Sequence, residues 1–484
     1  MSIIDRLHEL ALANPNQLAL VVEKNKTYTY QELYEFSMGL RESLNVINIA
    51  SRTRIAMITE FVHLIPLLSP IIAQYYTVTV INPLDPLEKK IKKLKDLKIE
   101  FILTDVGVYP KLSCDSLNLN YLVFNEEGIL VDTKMNRVQT QKSDSNDVAI
   151  ISESSGTTTT PKVIPISYKQ LLSRIYSFER YQLDSSRIRL NVSPIQRTST
   201  ITNLLQSLYW GTTSIFSNGI NYTLIDYLLN THHVTDLRIA PASLTSYLSF
   251  IEKRSLPIPS SLKYIFIPGA YLSDHLYQMI LKTMPQVSVI HTYGLTETGN
   301  VTSNFDAPMG YKQGSVGISK HHQIRIVDNE IQIKGDAVFE GYEGVNNHDF
   351  FDDSWFKTGD LGVIEEGYLY IKGRLKEMIN LGGEKVSPYE IEGYLINLKI
   401  FQEVIVFPYF SPTHQEMLAC AIVASKDDYT LANIRELLIN KLPAFKLPTR
   451  LYVLKEIPKN NNGKFERNKL FALLEGKQTP YLER

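Results

Sequence analysis

The chain reads as an α/β protein in which buried sheets alternate with helices, followed by a smaller C-terminal domain. Three observations predict this. Helix-like and strand-like segments alternate over the first two-thirds, the pattern of sheets layered with helices. Of 484 residues, 44% are apolar and 21% charged, a globular composition on a chain long enough for more than one core. After Gly373 the composition shifts, leaving about a hundred residues with strand and helix patterns of their own, the size of a small domain.

The elements follow in order. The start, "MSIIDRLHELALANPNQLAL", carries Asp5, His8 and Glu9 and has no basic segment ahead of a long apolar run, so no export signal is expected. "TYQELYEFSMGLRESL" is amphipathic with helical spacing, "RIAMIT" is an apolar strand, and "VTVINP" is a strand ending at proline. The stretch "FVHLIPLLSPIIAQYYTVTVI" at 61–81 lacks Asp, Glu, Lys and Arg and is long enough to span a bilayer. Pro66, Pro70 and Gln74 interrupt it, and its β-branched end favours a buried helix passing into a buried strand. "LEKKIKKLKDLK" at 87–98 has helical spacing and reads as a solvated helix face. Further on, "LKYIFIPGA" and "VSVIHTYG" are apolar strands, while "QIRIVDNEIQIKG" and "GYLYIKGRLKEMINLGGEKV" are strand-rich with tight turns. "SPYEIEGYLINL" starts a helix with Ser387 as its cap before Pro388. There is no internal repeat and no low-complexity linker.

Charge and cysteines narrow the function. A formal charge of −1 gives no general attraction for nucleic acid or an anionic membrane. Cys114 and Cys420, 306 positions apart, have no spacing suited to a zinc site or a disulfide framework. A soluble protein of the reducing cytoplasm is expected.

The stretch "ISESSGTTTTPKVIPIS" at 151–167 places Ser154, Ser155, Gly156, Thr157, Thr158, Thr159 and Thr160 before Lys162. Gly156 and Lys162 have the spacing of a nucleotide-hydrolase phosphate loop. Pro161, which has no N–H to offer a phosphate, stands at that loop's second glycine, and Val163 stands at its magnesium-binding hydroxyl. What remains is a hydroxyl-rich turn that either wraps nucleotide phosphates with side-chain and backbone donors or is a solvated Ser/Thr turn.

Four further stretches add to it. "HTYGLTETG" at 291–299 packs Tyr293, Gly294, Thr296, Glu297 and Thr298 together, and "WFKTGDLG" at 355–362 puts Asp360 after a Thr-Gly turn. "KGRLKEMINLGGEKVSPYEIE" at 372–392 combines Arg374, Lys376 and Gly382-Gly383, and "IPKNNNGKFERNKL" at 457–470 presents Lys464 on an Asn-Gly turn. In this order the five stretches resemble the motifs of the adenylate-forming superfamily: acyl-CoA synthetases, stand-alone adenylation domains and luciferases. The resemblance covers roughly 150–470, with "YTYQELYEFS" and "INPLDP" similar to the family's N-terminal half.

The resemblance implies a large N-terminal domain of layered α/β subdomains over 1–375 and a small α+β C-terminal lid over 376–484, hinged at Lys376. It implies ATP, Mg2+ and a CoA or phosphopantetheine thiol as cofactors and co-substrates, and a small carboxylic acid as substrate. A carboxylate attacks the α-phosphate of ATP, giving an acyl adenylate and pyrophosphate, and a thiol then displaces AMP. Two anions must meet, so cations and oriented donors should dominate the site. By resemblance Ser154 to Thr159 and Lys162 hold phosphates, Thr296 contacts the α-phosphate, and Glu297 is the magnesium ligand. Asp360 accepts the ribose hydroxyls beside Arg374. Gly269, Ala270, Tyr293 and Gly294 line the nucleotide, with Tyr293 near adenine or simply a core tyrosine. Lys464 is the lid lysine of adenylation, and Gly383 borders the pantetheine path.

Departures bear on the substrate. The family usually has glycine where Thr159 and Val163 stand, so the phosphate loop is stiffer here. "SPIQRTST" at 193–200 has Gln196 and Arg197 where many acyl- and aryl-CoA synthetases have Phe-His at the acyl pocket. Arg197 would either hold a second acidic group of the substrate or be a surface or ion-paired arginine. No amino-acid-selecting aspartate is evident. "GGEKVSP" is similar to oxalate-type and aryl-acid members, which favours a small or polar acid. The leading expectation is an acid–thiol ligase making an acyl-CoA. The alternatives are a stand-alone enzyme loading an acyl carrier protein and a weakly catalytic nucleotide-binding member.

Overall fold

Val, Ile and Leu concentrate in short runs bounded by Gly, Pro, Asn and Ser, so the runs pair as buried strands. The structure, a computed structural model, describes residues 1–22, 26–112, 119–134, 147–153, 161–195, 198–217, 219–269, 271–410, 416–424, 428–458 and 467–475. Two large sheets organise the N-terminal part. One runs in the order Leu130–Lys134, Asn120–Phe124, Phe101–Asp105, Arg54–Ile58, Thr77–Val80, Val148–Glu153, Val163–Ser167. The other runs Gly299–Ser303, Ser288–Leu295, Tyr264–Pro268, Asp236–Arg238, Ile188–Asn191, Thr213–Phe216, Leu18–Val22, Lys26–Thr29. The interior strands of both sheets are parallel.

Between the sheets lies one continuous core. Ile55, Met57 and Ile150 from one sheet meet Leu20 and Phe216 from the other through Leu7, Leu33, Leu68, Leu171 and Leu205 of the intervening helices. Helices Tyr222–Thr231, Pro241–Arg254 and Asp274–Thr283 cover the far face of the second sheet. The Lys-rich segment forms helix Leu87–Asp96 on the far face of the first, where Leu94 is buried and Lys89 and Lys92 reach solvent-side aspartates. The apolar stretch 61–81 becomes the buried helix Leu64–Tyr75 and the strand Thr77–Val80. Among the described residues no helix is long and apolar enough to cross a membrane.

A five-stranded antiparallel sheet follows, in which Trp355–Glu365 pairs with Glu330–Lys334 and with Tyr368–Arg374. The C-terminal part has its own cores on the two faces of the sheet Phe401–Phe410, Glu416–Ala424, Arg450–Val453. Helices Pro388–Asn397 and Leu431–Ile439 cover one face and helix Arg467–Glu475 the other. The chain is thus α/β, with a large layered N-terminal domain and a smaller α+β C-terminal one. One local expectation is corrected. Ser387 precedes helix Pro388–Asn397 but does not cap it, because its hydroxyl donates instead to Lys372 O at 2.7 Å.

Candidate active site

The carboxyl ends of Asp236–Arg238, Tyr264–Pro268 and Ser288–Leu295 open onto a cleft of about 2890 Å³. Arg374, Lys376 and Tyr394 also line it. Open α/β sheets collect ligands at this edge because strand ends and loops leave unpaired polar groups there.

Thr296 and Glu297 lie in the turn that joins Ser288–Leu295 to its antiparallel neighbour Gly299–Ser303, so the pair does not start a helix. The turn is tight: a Cβ on Gly294 would lie 2.0 Å from Gly299 O, a contact no side chain survives. Thr298 Oγ1 accepts from Leu295 N at 3.0 Å. From helix Tyr168–Tyr176 the buried Arg174 reaches beneath it. Arg174 Nη1 donates to Thr296 O and Nη2 to Glu297 O, both at 3.0 Å, while Nε and Nη2 donate to Ala337 O. Burial lowers this guanidinium to about 10, with the Glu297 charge opposing, so it stays cationic at neutral pH. Glu297 Oε1 accepts from Tyr342 Oη at 2.8 Å.

Lys162 stands on the same side. Its ammonium lies 3.5 Å from the Phe350 ring centroid and 4.8 Å from that of Tyr342, geometry in which aromatic faces steady a cation. Burial first, and then the Lys376 cation, lower its pKa, with Glu297 opposing. Lys162, Lys376, Glu297 and Tyr342 therefore share one electrostatic neighbourhood. Glu297 suits a magnesium ion, which is ordinarily held by one or two carboxylates with substrate phosphates supplying other ligands. Among the described residues no cluster of three His, Cys, Asp or Glu offers an all-protein metal cage.

Asp360 and Arg374 face each other in cross-strand register. Arg374 Nε donates to Asp360 Oδ1 at 2.6 Å, and Tyr293 Oη donates to Asp360 Oδ2 at 2.8 Å. Burial and then the Asp360 carboxylate push the Tyr293 phenol well above its ordinary value. It stays a proton donor. Tyr293 is buried yet lines the cleft, as do Gly269, Gly294, Asp360 and Arg374.

Behind the turn His322 Nε2 donates to Thr298 O at 3.2 Å, while its Nδ1 has no hydrogen-bond partner among the described residues. Burial holds the ring neutral and lowers its pKa from 6.5 to about 4. The unfolded chain takes up a proton below 6.5 that the folded one refuses until about 4, so stability falls with pH through that window. His322→Gln is expected to reduce the loss of unfolding free energy between these pH values by up to about 3 kcal/mol. Urea unfolding at both ends of the window measures it, and equal losses in the two proteins would discount the buried imidazole.

Lys376 sits in the short turn Leu375–Glu377 just beyond the strand carrying Arg374. Gly382 and Gly383 form the tip of the hairpin Ile379–Leu381 to Glu384–Val386, with φ of +64° and +102°. Asn380 Oδ1 accepts from Gly383 N at 2.9 Å. Backbone geometry alone thus accounts for the paired glycines.

Ser154, Ser155, Gly156, Thr157, Thr158, Thr159, Gln196, Arg197, Ala270 and Lys464 lie outside the described residues. The other candidates, Lys162, Gly269, Tyr293, Gly294, Thr296, Glu297, Asp360, Arg374 and Lys376, all line the one cleft. Gly383 stands apart on its hairpin. Sequence reasoning missed Arg174, Tyr342 and Phe350. No local signal marks them: each reads as an ordinary helix or turn residue.

Comparison with known proteins agrees. The family model "AMP-binding enzyme" matches residues 7–343, and "AMP-binding enzyme C-terminal domain" matches 390–464. The 2-succinylbenzoate–CoA ligase of Staphylococcus epidermidis is 25% identical over 487 residues, covering 97% of this chain and 98% of that protein. The oxalate–CoA ligase of Saccharomyces cerevisiae is 27% identical over 346 residues, 67% of this chain and 62% of that one. The O-succinylbenzoate coenzyme A synthetase of Bacillus subtilis, solved with ATP and magnesium ion, superposes with a TM-score of 0.78 at 21% identity, over 96% of this chain and 99% of that one. The chain belongs to the AMP-binding enzyme family and is an AMP-forming ligase of the adenylate-forming superfamily.

Proposed function

We propose that the protein activates a small carboxylic acid with ATP and transfers the acyl group to CoA. The observation that carries this is the meeting, in one cleft, of Lys162, the Thr296–Glu297 turn and the Asp360–Arg374 pair. The acid's carboxylate oxygen forms a bond to the α-phosphorus as the bond to pyrophosphate breaks. The thiolate sulfur then forms the thioester as the acyl–phosphate bond breaks, AMP leaves, and the thiol proton passes to solvent. In this reading Asp360 accepts the ribose hydroxyls and Arg374 braces it. Thr296 meets the α-phosphate, while Lys162 and the hydroxyls of 154–160 take the outer phosphates. Glu297 holds the magnesium ion, which neutralises phosphate charge when bound. Lys464 serves adenylation from the lid, residues 376–484, which turns about Lys376.

The relatives named for oxalate and 2-succinylbenzoate support a small polar acid and CoA. A panel of carboxylic acids, screened by Mg2+- and ATP-dependent pyrophosphate release and repeated with CoA, tests it. Acid-dependent pyrophosphate release followed by CoA-dependent thioester is expected. Adenylation without thioester, rescued by a phosphopantetheinyl carrier protein, would replace CoA as the acceptor. No acid-dependent release at all would end the ligase reading.

Gly383 serves as the check on the second step. Gly383→Leu is expected to leave pyrophosphate release within about threefold while thioester formation falls at least about tenfold, because the side chain fills the thiol's path. Both glycines of the hairpin tip have positive φ, so Gly382→Leu carries similar strain and is the control. Equal losses in the two variants would make Gly383 a turn residue only.

A further inference from the structure

The winding of the large sheet reverses between Ile188–Asn191 and Asp236–Arg238. From Ile188–Asn191 the chain moves one way to Thr213–Phe216, then crosses back to Asp236–Arg238 and continues the other way through Tyr264–Pro268 and Ser288–Leu295. Such a reversal leaves a crevice outside the carboxyl ends of the two adjacent strands. Arg238 is the last residue of its strand, in register with Asn191 and Phe266, and it lines the cleft, as do Ser193, Asn203, Gln206 and Thr245.

The charge around Arg238 does not balance. Asp236, two residues earlier and so on the same sheet face, is the nearby carboxylate, and it is committed. Arg187 Nε and Nη2 donate to its two oxygens at 2.9 and 2.8 Å, and Arg189 lies 3.5 Å away. Three guanidinium groups thus answer to one carboxylate. The Arg238 side chain has no hydrogen bond or ion pair among the described residues, and its charged neighbour is the Arg189 cation. Burial first, and Arg189 second, lower it to about 10, so it remains charged at neutral pH. Arg238 is half-buried at the cleft wall, and a partly desolvated cation without a counter-charge is costly unless an anion arrives from the cleft.

We propose that Arg238 anchors the far end of the acid substrate, taking the second anionic group of a dicarboxylic acid whose other carboxylate is adenylated. The proposal rests on the ligase reading. A guanidinium fork matches a carboxylate in two parallel hydrogen bonds, and the distance between that anchor and the nucleotide end of the cleft would select chain length. The role considered for Arg197 from the sequence concerns a residue outside the described set; Arg238 reaches it on cleft position and unmatched charge.

The test compares α,ω-dicarboxylic acids from malonate to suberate with their monoacids of equal length, and phthalate with benzoate, on wild type, Arg238→Leu and Arg238→Lys. The readouts are kcat/KM for pyrophosphate release, dissociation constants for each acid and for ATP, and the melting temperature. In wild type a dianion is expected to be the best substrate. In Arg238→Leu the ratio of dianion to monoacid should fall about a hundredfold with ATP affinity unchanged, and Arg238→Lys should restore part of it. An unchanged ratio, an equal loss on all acids, a preference of wild type for monoacids, or a matching loss of ATP affinity would each overturn the assignment. If no acid drives pyrophosphate release from wild type, the ligase reading falls, and binding alone decides Arg238. Tighter dianion binding to wild type than to Arg238→Leu keeps the anion site, and equal binding removes it. Should Arg238→Leu fail to fold, Arg238→Lys and Arg238→Gln carry the comparison.

Discussion

Asp360→Ala is expected to weaken AMP and ATP binding by about a hundredfold or more. The carboxylate is buried between Tyr293 and Arg374, so both its oxygens are fixed in direction before nucleotide arrives. In the proposed role each would accept a ribose hydroxyl, and a hydrogen bond to a charged group contributes about 1.5–3 kcal/mol. Two such bonds correspond to more than two decades in affinity. The substitution also leaves the buried Tyr293 hydroxyl unmatched, at about 1–3 kcal/mol. The Arg374 side chain is 44% exposed, so its stranded charge is largely solvated and adds little. Asp360→Asn keeps the shape and one acceptor and should fall between. Calorimetric titration with AMP, beside a urea midpoint, measures both effects. A lowered midpoint with AMP affinity intact would leave Asp360 as a structural brace and remove the ribose assignment.

The parts of the site that were legible in the sequence are those whose chemistry is local. Thr296-Glu297 announces a turn by its own residues, whereas the Thr-Gly turn expected before Asp360 is not a chain reversal but an irregularity inside the strand Trp355–Glu365, with Gly359 at φ +71°. Arg374 follows a strand pattern whose pairing with Trp355–Glu365 is a short-range antiparallel event. The alternation of apolar runs likewise announced layered sheets. What stayed hidden depends on contacts across long separations. Leu18–Val22 pairs with Thr213–Phe216, and no local pattern reports that. Arg174 meets Thr296 O across 122 positions and Glu297 O across 123, while its own segment "YKQLLSRIY" reads as a plain amphipathic helix. Arg238 ends a short strand, and its meaning comes from Arg187 and Arg189 having taken Asp236. Ser387 failed as a cap because a carbonyl fifteen positions earlier, on Lys372, competed for its hydroxyl.

Arg174→Met is expected to lower the rate of pyrophosphate release by about a hundredfold while changing AMP affinity by no more than about threefold. The residue touches no substrate in the proposed mechanism; it is a positioning residue. Its planar fork holds the carbonyls of Thr296 and Glu297 from below and ties both to Ala337, so the hydroxyl and carboxylate above them are aimed together. Methionine fills much the same volume but donates nothing, leaving buried carbonyls that cost about 1–3 kcal/mol each if unmatched. Part of that is offset because a desolvated cation is removed with the side chain. The turn relieves the remainder by moving toward water, and a shift on the order of 1 Å is enough to cost about two decades in rate. Adenosine affinity should be spared, since in this reading it rests on Asp360 and Arg374. A mere loss of stability would scale activity with the folded fraction. Displacement of Glu297 instead predicts a changed Mg2+ dependence, with half-maximal rate moving at least about tenfold higher in Mg2+ at saturating ATP. Arg174→Lys, which reaches fewer carbonyls and lacks the fork, should sit between. Rate measured against Mg2+ for the three proteins, with melting temperatures alongside, decides the matter. An unchanged Mg2+ midpoint together with full activity per folded molecule would reduce Arg174 to a core residue.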